Sequence, residues 1–577
     1  MSDEEEKQEA LNVTSLAAAI AAGAADAYLK TMLHTLDHDG WTAFADASVA
    51  AHRRGDIDLT ALLDGPTDRR IGHATQRLVG HALPASGMSL ADVLRLDAAA
   101  AARTQGEGIP YWLSAAFGEW CRTSPDNVVA AFDALKSGEA APRLAQPAVA
   151  AALAVDRARF LPTVLAMLDG SDEAGQDAAA NVLGRIEDLA PADLDATVAA
   201  LEAALSRARG DRVVAPLRAL LAIAMRGQGA VGARALGEAA TRADAHVREA
   251  VAMEMMFGAA KAPPEVTRPA LALLAGTGAD EIATIEGIDH ILAENLSGPL
   301  AADFAGLTDR LLVGGVASMK RLDSYQHRLL EAGAGAVGLA VTRWLLGDEL
   351  RLYAAVSDIC LSVHGDPLTF ELDFSGSGLT AERAVRIARR SCGVLLISPE
   401  AAASIIVSLM RSGPADAIPA LAEILWDPLL ISYWIGPRKY LEDVLPGLPP
   451  AAAEAVTGVI ARLERYSAAV EAARDMPELR PSQHHRHLVA IKRREEQIAI
   501  EKAAREGSVL ASLFPMSVML FGDSAIYDVV TEPGKTIRQE TPLGVHEYSH
   551  ELPRLDVIDP FGTWYQRATM MSDGGDE

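Results

Sequence analysis

Leu161-Pro-Thr-Val164-Leu165-Ala-Met-Leu168-Asp-Gly170-Ser-Asp172-Glu-Ala-Gly-Gln-Asp-Ala-Ala179-Ala-Asn-Val182-Leu183-Gly-Arg-Ile186 reads as two helices joined by one turn. Leu161, Val164, Leu165 and Leu168 stand at the i, i+3, i+4, i+7 spacing of a single helix face, and Ala179, Val182, Leu183 and Ile186 repeat that spacing after the break. Gly170 separates the two, and Asp172 opens the second, because a short side-chain oxygen accepts the unpaired N–H groups of a first turn. The pairing recurs through an alanine-rich block, residues 151 to 292. Asp172, Asp211, Asp244 and Asp280 each follow a turn and open a second helix, at steps of 39, 33 and 36 residues. A two-helix unit repeated every 33 to 47 residues or roughly so is the signature of an α-solenoid.

Composition agrees with that architecture. Half of the 577 residues are hydrophobic and only 5% are aromatic, so the core is made of Ala, Leu and Val, small residues that let helices approach closely. The stretch Asp244-Ala-His-Val247-Arg248-Glu-Ala250 resembles the second helix of a HEAT repeat, in which an Asp caps the helix and a Val-Arg pair precedes a packed Ala. The resemblance implies stacked helical pairs and a protein-binding role; solenoids offer surfaces rather than one chemistry. A formal charge of −26 repels phosphate backbones and argues against nucleic acid as the general partner. Cys121, Cys360 and Cys392 are too far apart in sequence to suggest a disulfide framework or zinc knuckle, which fits a cytoplasmic setting.

The expected fold class is mainly α, a solenoid of HEAT-like helix pairs with a small C-terminal β subdomain. Residues 1–12 read as a disordered acidic tail without the basic start of a secretory signal, 13–361 as helical repeats, 380–507 as a second helical block, and 508–577 as the β subdomain and tail. No apolar run reaches the length of a membrane span. Residues 362–379, with Gly365-Asp-Pro367 and Ser375-Gly-Ser-Gly378, form the longest polar break in the middle of the chain and read as a boundary or binding loop. Ser517 to Phe521, Ala525 to Val530 and Thr536 to Glu540 have the period of strands, with Glu532-Pro-Gly-Lys535 as the turn between the last two.

Several features invite functional readings. Gly333-Ala-Gly335-Ala-Val-Gly338 matches a dinucleotide-binding string, but the polar helix expected before it leaves no strand to feed the glycines, so small-residue packing is the reading. Trp426, Tyr433, Trp434 and Tyr440 gather within a short span; core packing is the default, and a partner-binding hot spot the alternative. Gln483 to Glu506 reads as one long charged helix whose Lys492-Arg493-Arg494 run is answered by Glu495, Glu496 and Glu501, a solvated face.

One motif carries possible chemistry. His546-Glu547-Tyr548-Ser549-His550, followed by Pro553 and Asp556, is similar to the extended zinc-peptidase pattern of the snapalysin-like metzincins. That resemblance implies His546, His550 and Asp556 as zinc ligands, Glu547 as general base, and a turn near Met570 and Met571. The residues themselves favour another reading. With period 2, His546, Tyr548, His550 and Leu552 fall on one face of a half-buried strand and Glu547, Ser549 and Glu551 on the other, and two His four apart in a strand lie about 13 Å from each other, too far to share an ion. Pro553 stands where the family has a left-handed Gly and also biases Leu552 away from helix. The chain is therefore expected to act as a protein-binding scaffold or adaptor without a cofactor, with the zinc peptidase as the alternative. The expected outcome is that purified protein contains no stoichiometric zinc by elemental analysis and that Glu547→Gln leaves its activity intact; one zinc per chain, lost in His550→Ala, makes the motif a metal site.

Overall fold

The computed structural model describes residues 13–572 apart from 37, 243, 364 and 475 and the stretches 64–72, 104–110, 477–481, 507–518, 522–523, 533–534 and 543–550. It is mainly helical and divides into two compact units, Met1–Glu331 and Ala332–Glu577. The break expected at 362–379 therefore falls inside the second unit.

In the first unit, helices stack in series as the repeat spacing requires. The inner row runs through α1 (His73–Ala85), α2 (Tyr111–Arg122), α3 (Ala145–Val155) and α4 (Glu173–Leu183), with the outer α5 (Pro191–Arg207) packed against the next inner helix, α6 (Val214–Met225). Beyond it each inner helix packs on the outer helix that follows it, α6 on α7 (Gly229–Ala240), α8 (Ala245–Gly258) on α9 (Pro264–Leu274) and α10 (Ile282–Glu294) on α11 (Ala301–Val313), and α12 (Asp323–Glu331) comes last. Each inner helix packs on the inner helix of the next pair, α4 on α6, α6 on α8, α8 on α10 and α10 on α12, while α5, α7, α9 and α11 form the second row in the same manner. Buried Val182, Leu183, Leu217, Leu220, Val247 and Val251 fill the space between them.

Small residues set how closely the rows approach. A methyl group added at Gly184, at the end of α4, would meet the Ala219 Cα of α6 at 2.6 Å, and one added at Gly232 would meet Ala224 Cβ at 2.6 Å and Val266 Cγ2 at 2.8 Å. Gly287 of α10 lies against Ala252 of α8 in the same way, at 3.1 Å. Bulk at these positions would separate neighbouring pairs.

Two of the four expected aspartate caps form. Asp172 accepts from Gly175 N–H at 3.1 Å and Asp244 from Val247 N–H at 2.9 Å. Asp211 lies instead in the short 3₁₀ turn Gly210–Val213, and the helix after Asp280 starts at Glu281, whose carboxylate accepts from Gly278 N–H at 2.8 Å. Glu281 is also where the Val-Arg pair finds its partner: Arg248 donates to it from the preceding repeat at 2.5 Å, with both side chains mostly buried. The hydrogen bond from Arg248 holds the Glu281 carboxyl below its usual range. Its stabilising contribution is therefore present at neutral pH and lost as the pH falls through that lowered value.

Arginines tie each pair to the one before it. Arg226 donates to Gly184 O at the end of α4 (2.7 Å), Arg242 to Leu205 O and Ala208 O at the end of α5 (2.8 and 2.9 Å), and Arg321 to Ala279 O (3.0 Å). At the ends of α4 and α5 such a cation satisfies carbonyls that a helix C-terminus leaves unpaired and complements its partial negative charge, whereas Ala279 lies in the turn before α10. The reverse device occurs here too: buried Asp289 accepts from Ser324 N–H and Tyr325 N–H, at 3.0 and 2.8 Å, in the first turn of α12.

The second unit contains α13 (Ala334–Gly347), α14 (Leu350–Ser362), α15 (Ala381–Val394), α16 (Pro399–Ser412), α17 (Ile418–Ile424), α18 (Gly436–Val444), α19 (Pro450–Arg474) and α20 (Gln483–Glu506). Gly333, at φ 89, leads directly into α13, and helix α12 rather than a strand precedes it in the chain, so the glycine string belongs to a helix start. The polar break carries no helix or strand among its described residues from 363 to 379, as a loop should, yet part of it is buried. Phe370, Leu372 and Phe374 are buried in an extended segment, and their N–H groups donate to Ser404, Ser408 and Ser412 Oγ at 2.9, 3.1 and 2.9 Å. Serines four apart on α16 thus stand where a neighbouring strand would otherwise supply acceptors. Strands β1 (Met519–Phe521), β2 (Ser524–Glu532) and β3 (Lys535–Pro542) pair antiparallel in sequence order, with Glu532 opposite Lys535. After them come α21 (Arg554–Ile558) and α22 (Pro560–Met571).

The close approach of α4 and α6 generates a paired test. Gly184→Ala is expected to destabilise the protein by about 1–3 kcal/mol through overpacking. Gly237→Ala, in the exposed interior of α7 with open space around the new methyl, is expected to stabilise it by about 0.5–1 kcal/mol. Thermal unfolding of the two variants separates these signs, and a neutral Gly184→Ala would show that the rows are not held at this spacing.

Candidate functional site

The aromatic cluster singled out in the sequence lies in the second unit. Trp426 and Tyr433 are buried, and Tyr466 of α19 stands edge-on to both Trp426 and Trp434, with ring centroids 5.6 and 5.9 Å apart. The Arg462 guanidinium lies over Trp426 at 4.4 Å. Burial first, then the carboxylates of Asp556, Glu400 and Glu551, push the Tyr433 hydroxyl above its ordinary pKa; Arg567 opposes them.

What covers this cluster is the chain's own C-terminal segment. The Glu551 carboxylate accepts three successive backbone N–H groups at the start of α18: Trp434 at 2.6 Å, Ile435 at 3.0 Å and Gly436 at 3.2 Å. An anion in that position satisfies the free donors of a first turn and meets the positive end of the helix dipole. Three residues on, the Arg554 guanidinium stacks over the Trp434 ring, 3.3 Å from its centroid. Gln566 donates to Asp427 at 2.8 Å, and Arg567 donates to the Gly393 carbonyl at 3.2 Å. Helix α22 packs on α15 at Gly393, where an added methyl would meet Met571 Cγ at 2.9 Å, and buried Thr563 and Met570 face the same way.

The opposite face of α22 is bare. Phe561, Trp564 and Tyr565, at i, i+3 and i+4, are 73%, 64% and 63% exposed, and Val557 and Ile558 just ahead of them are each 73% exposed. Phe561 and Trp564 touch each other, with ring centroids 6.1 Å apart. In a chain so poor in aromatics this is a concentrated apolar surface, of the kind that marks an interaction site.

The sequence reading missed this helix, having assigned the region to a β subdomain and tail. Its signal was present: Asp559 followed by Pro560 is a helix start, a capping side chain and then Pro at the first helical position, and Asp559 accepts from Gly562 N–H at 2.9 Å. Met570 and Met571 lie in α22, not in a turn. His546, Glu547 and His550 are outside the described residues. Asp556, the third residue of that set, is exposed on α21. Two neighbours run opposite to the period-2 expectation: Leu552 is 67% exposed, while Glu551, expected to face outward, turns toward α18. Among the described residues no group of three or more His, Cys, Asp or Glu is placed to hold a metal ion. The Cys121, Cys360 and Cys392 thiols are each pushed up to about 12 by burial, so none supplies a thiolate nucleophile at neutral pH.

Glu551→Ala removes three charge-assisted bonds and is expected to loosen the C-terminal segment by about 1–3 kcal/mol. Hydrogen exchange of the α22 amides should lose roughly tenfold or more in protection, with the first unit unaffected. Unchanged protection in α22 would show that Glu551 does not anchor it.

No model of a known protein family matches the sequence, and no curated protein matches it, so the functional reading rests on this geometry.

Proposed function

We propose that the chain is a protein-binding scaffold or adaptor, a HEAT-like α-solenoid that engages a partner protein through the outer face of α22. The observation that carries this reading is the set of exposed side chains Val557, Ile558, Phe561, Trp564 and Tyr565 on a segment held by Glu551, Arg554 and Arg567. An aromatic face on an anchored helix loses little conformational entropy on binding, and Trp and Tyr are favoured hot spots. A partner groove lined by apolar side chains fits this face. The net charge of −26 disfavours nucleic acid, and no helix among the described residues is long and apolar enough to cross a membrane. The free thiols fit a cytoplasmic setting, and the three paired strands are read as a small β subdomain carried before the C-terminal helices. The zinc-peptidase alternative rests on the His546, Glu547 and His550 motif alone.

The test compares the full chain with a Phe561→Ala, Trp564→Ala, Tyr565→Ala variant. A partner captured by the parent and identified by mass spectrometry is then titrated calorimetrically against both. The expected loss is at least about thirtyfold in affinity, since a single aromatic hot spot contributes about 2 kcal/mol or more, with thermal unfolding unchanged. Equal affinity for the variant would move the binding surface elsewhere.

A further inference from the structure

We infer a second interaction surface, in the first unit and independent of α22: the exposed side of α8 and α10 receives an amphipathic helix of a partner protein that carries basic and large apolar side chains. Among the described residues of that unit, the large apolar side chains left exposed are Met253, Phe257, Ile282 and Val313, and the first three share this side. Glu249, Met253 and Phe257 stand at i, i+4 and i+8 on α8, and Ile282, Glu286 and His290 do so on α10, so each set forms one ridge along its helix. All six are exposed, Phe257 at 78%. The ridges run side by side. Arg248 pairs with Glu281 near the two helix starts, and Ala252 lies against Gly287 further along, so α8 and α10 are parallel. In that register Glu286 comes level with the step from Glu249 to Met253, and His290 with the step from Met253 to Phe257. The acidic and apolar side chains are therefore interleaved on one side of the helix pair.

The charges select the occupant. Neither Glu249 nor Glu286 has an ion-pair partner among the described residues, and the arginines that border the face are already committed, Arg218 to Glu254, Arg248 to Glu281 and Arg328 to Glu294. Two carboxylates beside exposed Met253, Phe257 and Ile282 complement a partner whose Lys or Arg residues flank large apolar ones. A formal charge of −26 draws such a partner in from a distance, and the two placed carboxylates set its register once it arrives. The shape of the face favours a helix as that partner. Residues four apart on a ridge rise about 6 Å along the axis, the same step that the ridges of an incoming helix have, so its side chains can seat between those of α8 and α10. Phe257 offers a rigid aromatic anchor and Met253 an adaptable one.

The experiment uses the full chain and two fluorescently labelled peptides of about 18 residues, five turns of helix. One has Leu along one face and Lys and Arg along the other, and the second has Glu in place of every cation. Fluorescence anisotropy should show the basic peptide binding at least about tenfold more tightly than the acidic one, and less tightly as salt rises. Two changes on the face should each weaken the basic peptide by about tenfold or more: Phe257→Ala, which leaves the charge untouched, and the double change Glu249→Lys, Glu286→Lys. The double change Glu139→Lys, Glu454→Lys alters the net charge equally at exposed positions elsewhere and should keep the parent's affinity. Thermal unfolding of each variant checks that it is folded. No binding of the basic peptide, equal affinity for the two peptides, full affinity in Phe257→Ala, or an equal loss in the two charge variants would each overturn the proposal. The Phe561→Ala, Trp564→Ala, Tyr565→Ala variant should bind the basic peptide as the parent does, so the reading of α22 stands or falls separately.

Discussion

Close approach of neighbouring helix pairs is the constraint on which the first unit depends. Where Gly184 meets Ala219 and Gly232 meets Ala224, the helices approach until a single methyl group would collide. Packing at that range brings dispersion contacts along whole helix lengths and leaves no room for bulk. It explains a chain half hydrophobic yet only 5% aromatic, because large rings would separate the pairs. In the first unit each helix pair buries its apolar face against the pair before and the pair after.

Stacking alone leaves helix ends unsatisfied, and the chain meets this with side chains borrowed from the neighbouring repeat. Arg226 and Arg242 reach back to the carbonyls that end α4 and α5, Arg248 reaches forward to the carboxylate that opens α10, and Asp289 does the same for the N–H groups of α12. Glu551 at the start of α18 follows this logic over a sequence separation of more than a hundred residues. The serines of α16 extend it to a whole segment, since they pair the N–H groups of Phe370, Leu372 and Phe374 without any second strand. Apart from the ion pair of Arg248 with Glu281, the charge or hydroxyl in these cases completes a backbone hydrogen bond.

Two sets of aromatic residues stand out in the second unit. Trp426, Tyr433 and Tyr466 close a covered cluster, and Trp434 mediates between it and Arg554. Phe561, Trp564 and Tyr565 face outward from the helix that this anchoring holds in place. The covered set thus positions the exposed one, which is the arrangement a binding face requires.

Periodicity determined a large share of this by itself. The apolar spacing around Gly170, the steps between Asp172, Asp211, Asp244 and Asp280, and the small-residue composition foretold helical pairs in series, because those signals depend only on residues a few positions apart. Asp172 and Asp244 cap as read, for the same local reason. Tertiary structure decided the remainder. Segment 362–379 is irregular as read, but its burial was not legible, since the hydrogen-bond partners of Phe370, Leu372 and Phe374, namely Ser404, Ser408 and Ser412, lie far along the chain. The place of Glu551 was equally invisible: local alternation assigned it to an outer face, while three N–H groups at the start of α18 drew it inward. A one-dimensional pattern records which side of an element is apolar, but the partner of a charge depends on which helix end the fold brings within reach, and only packing determines that.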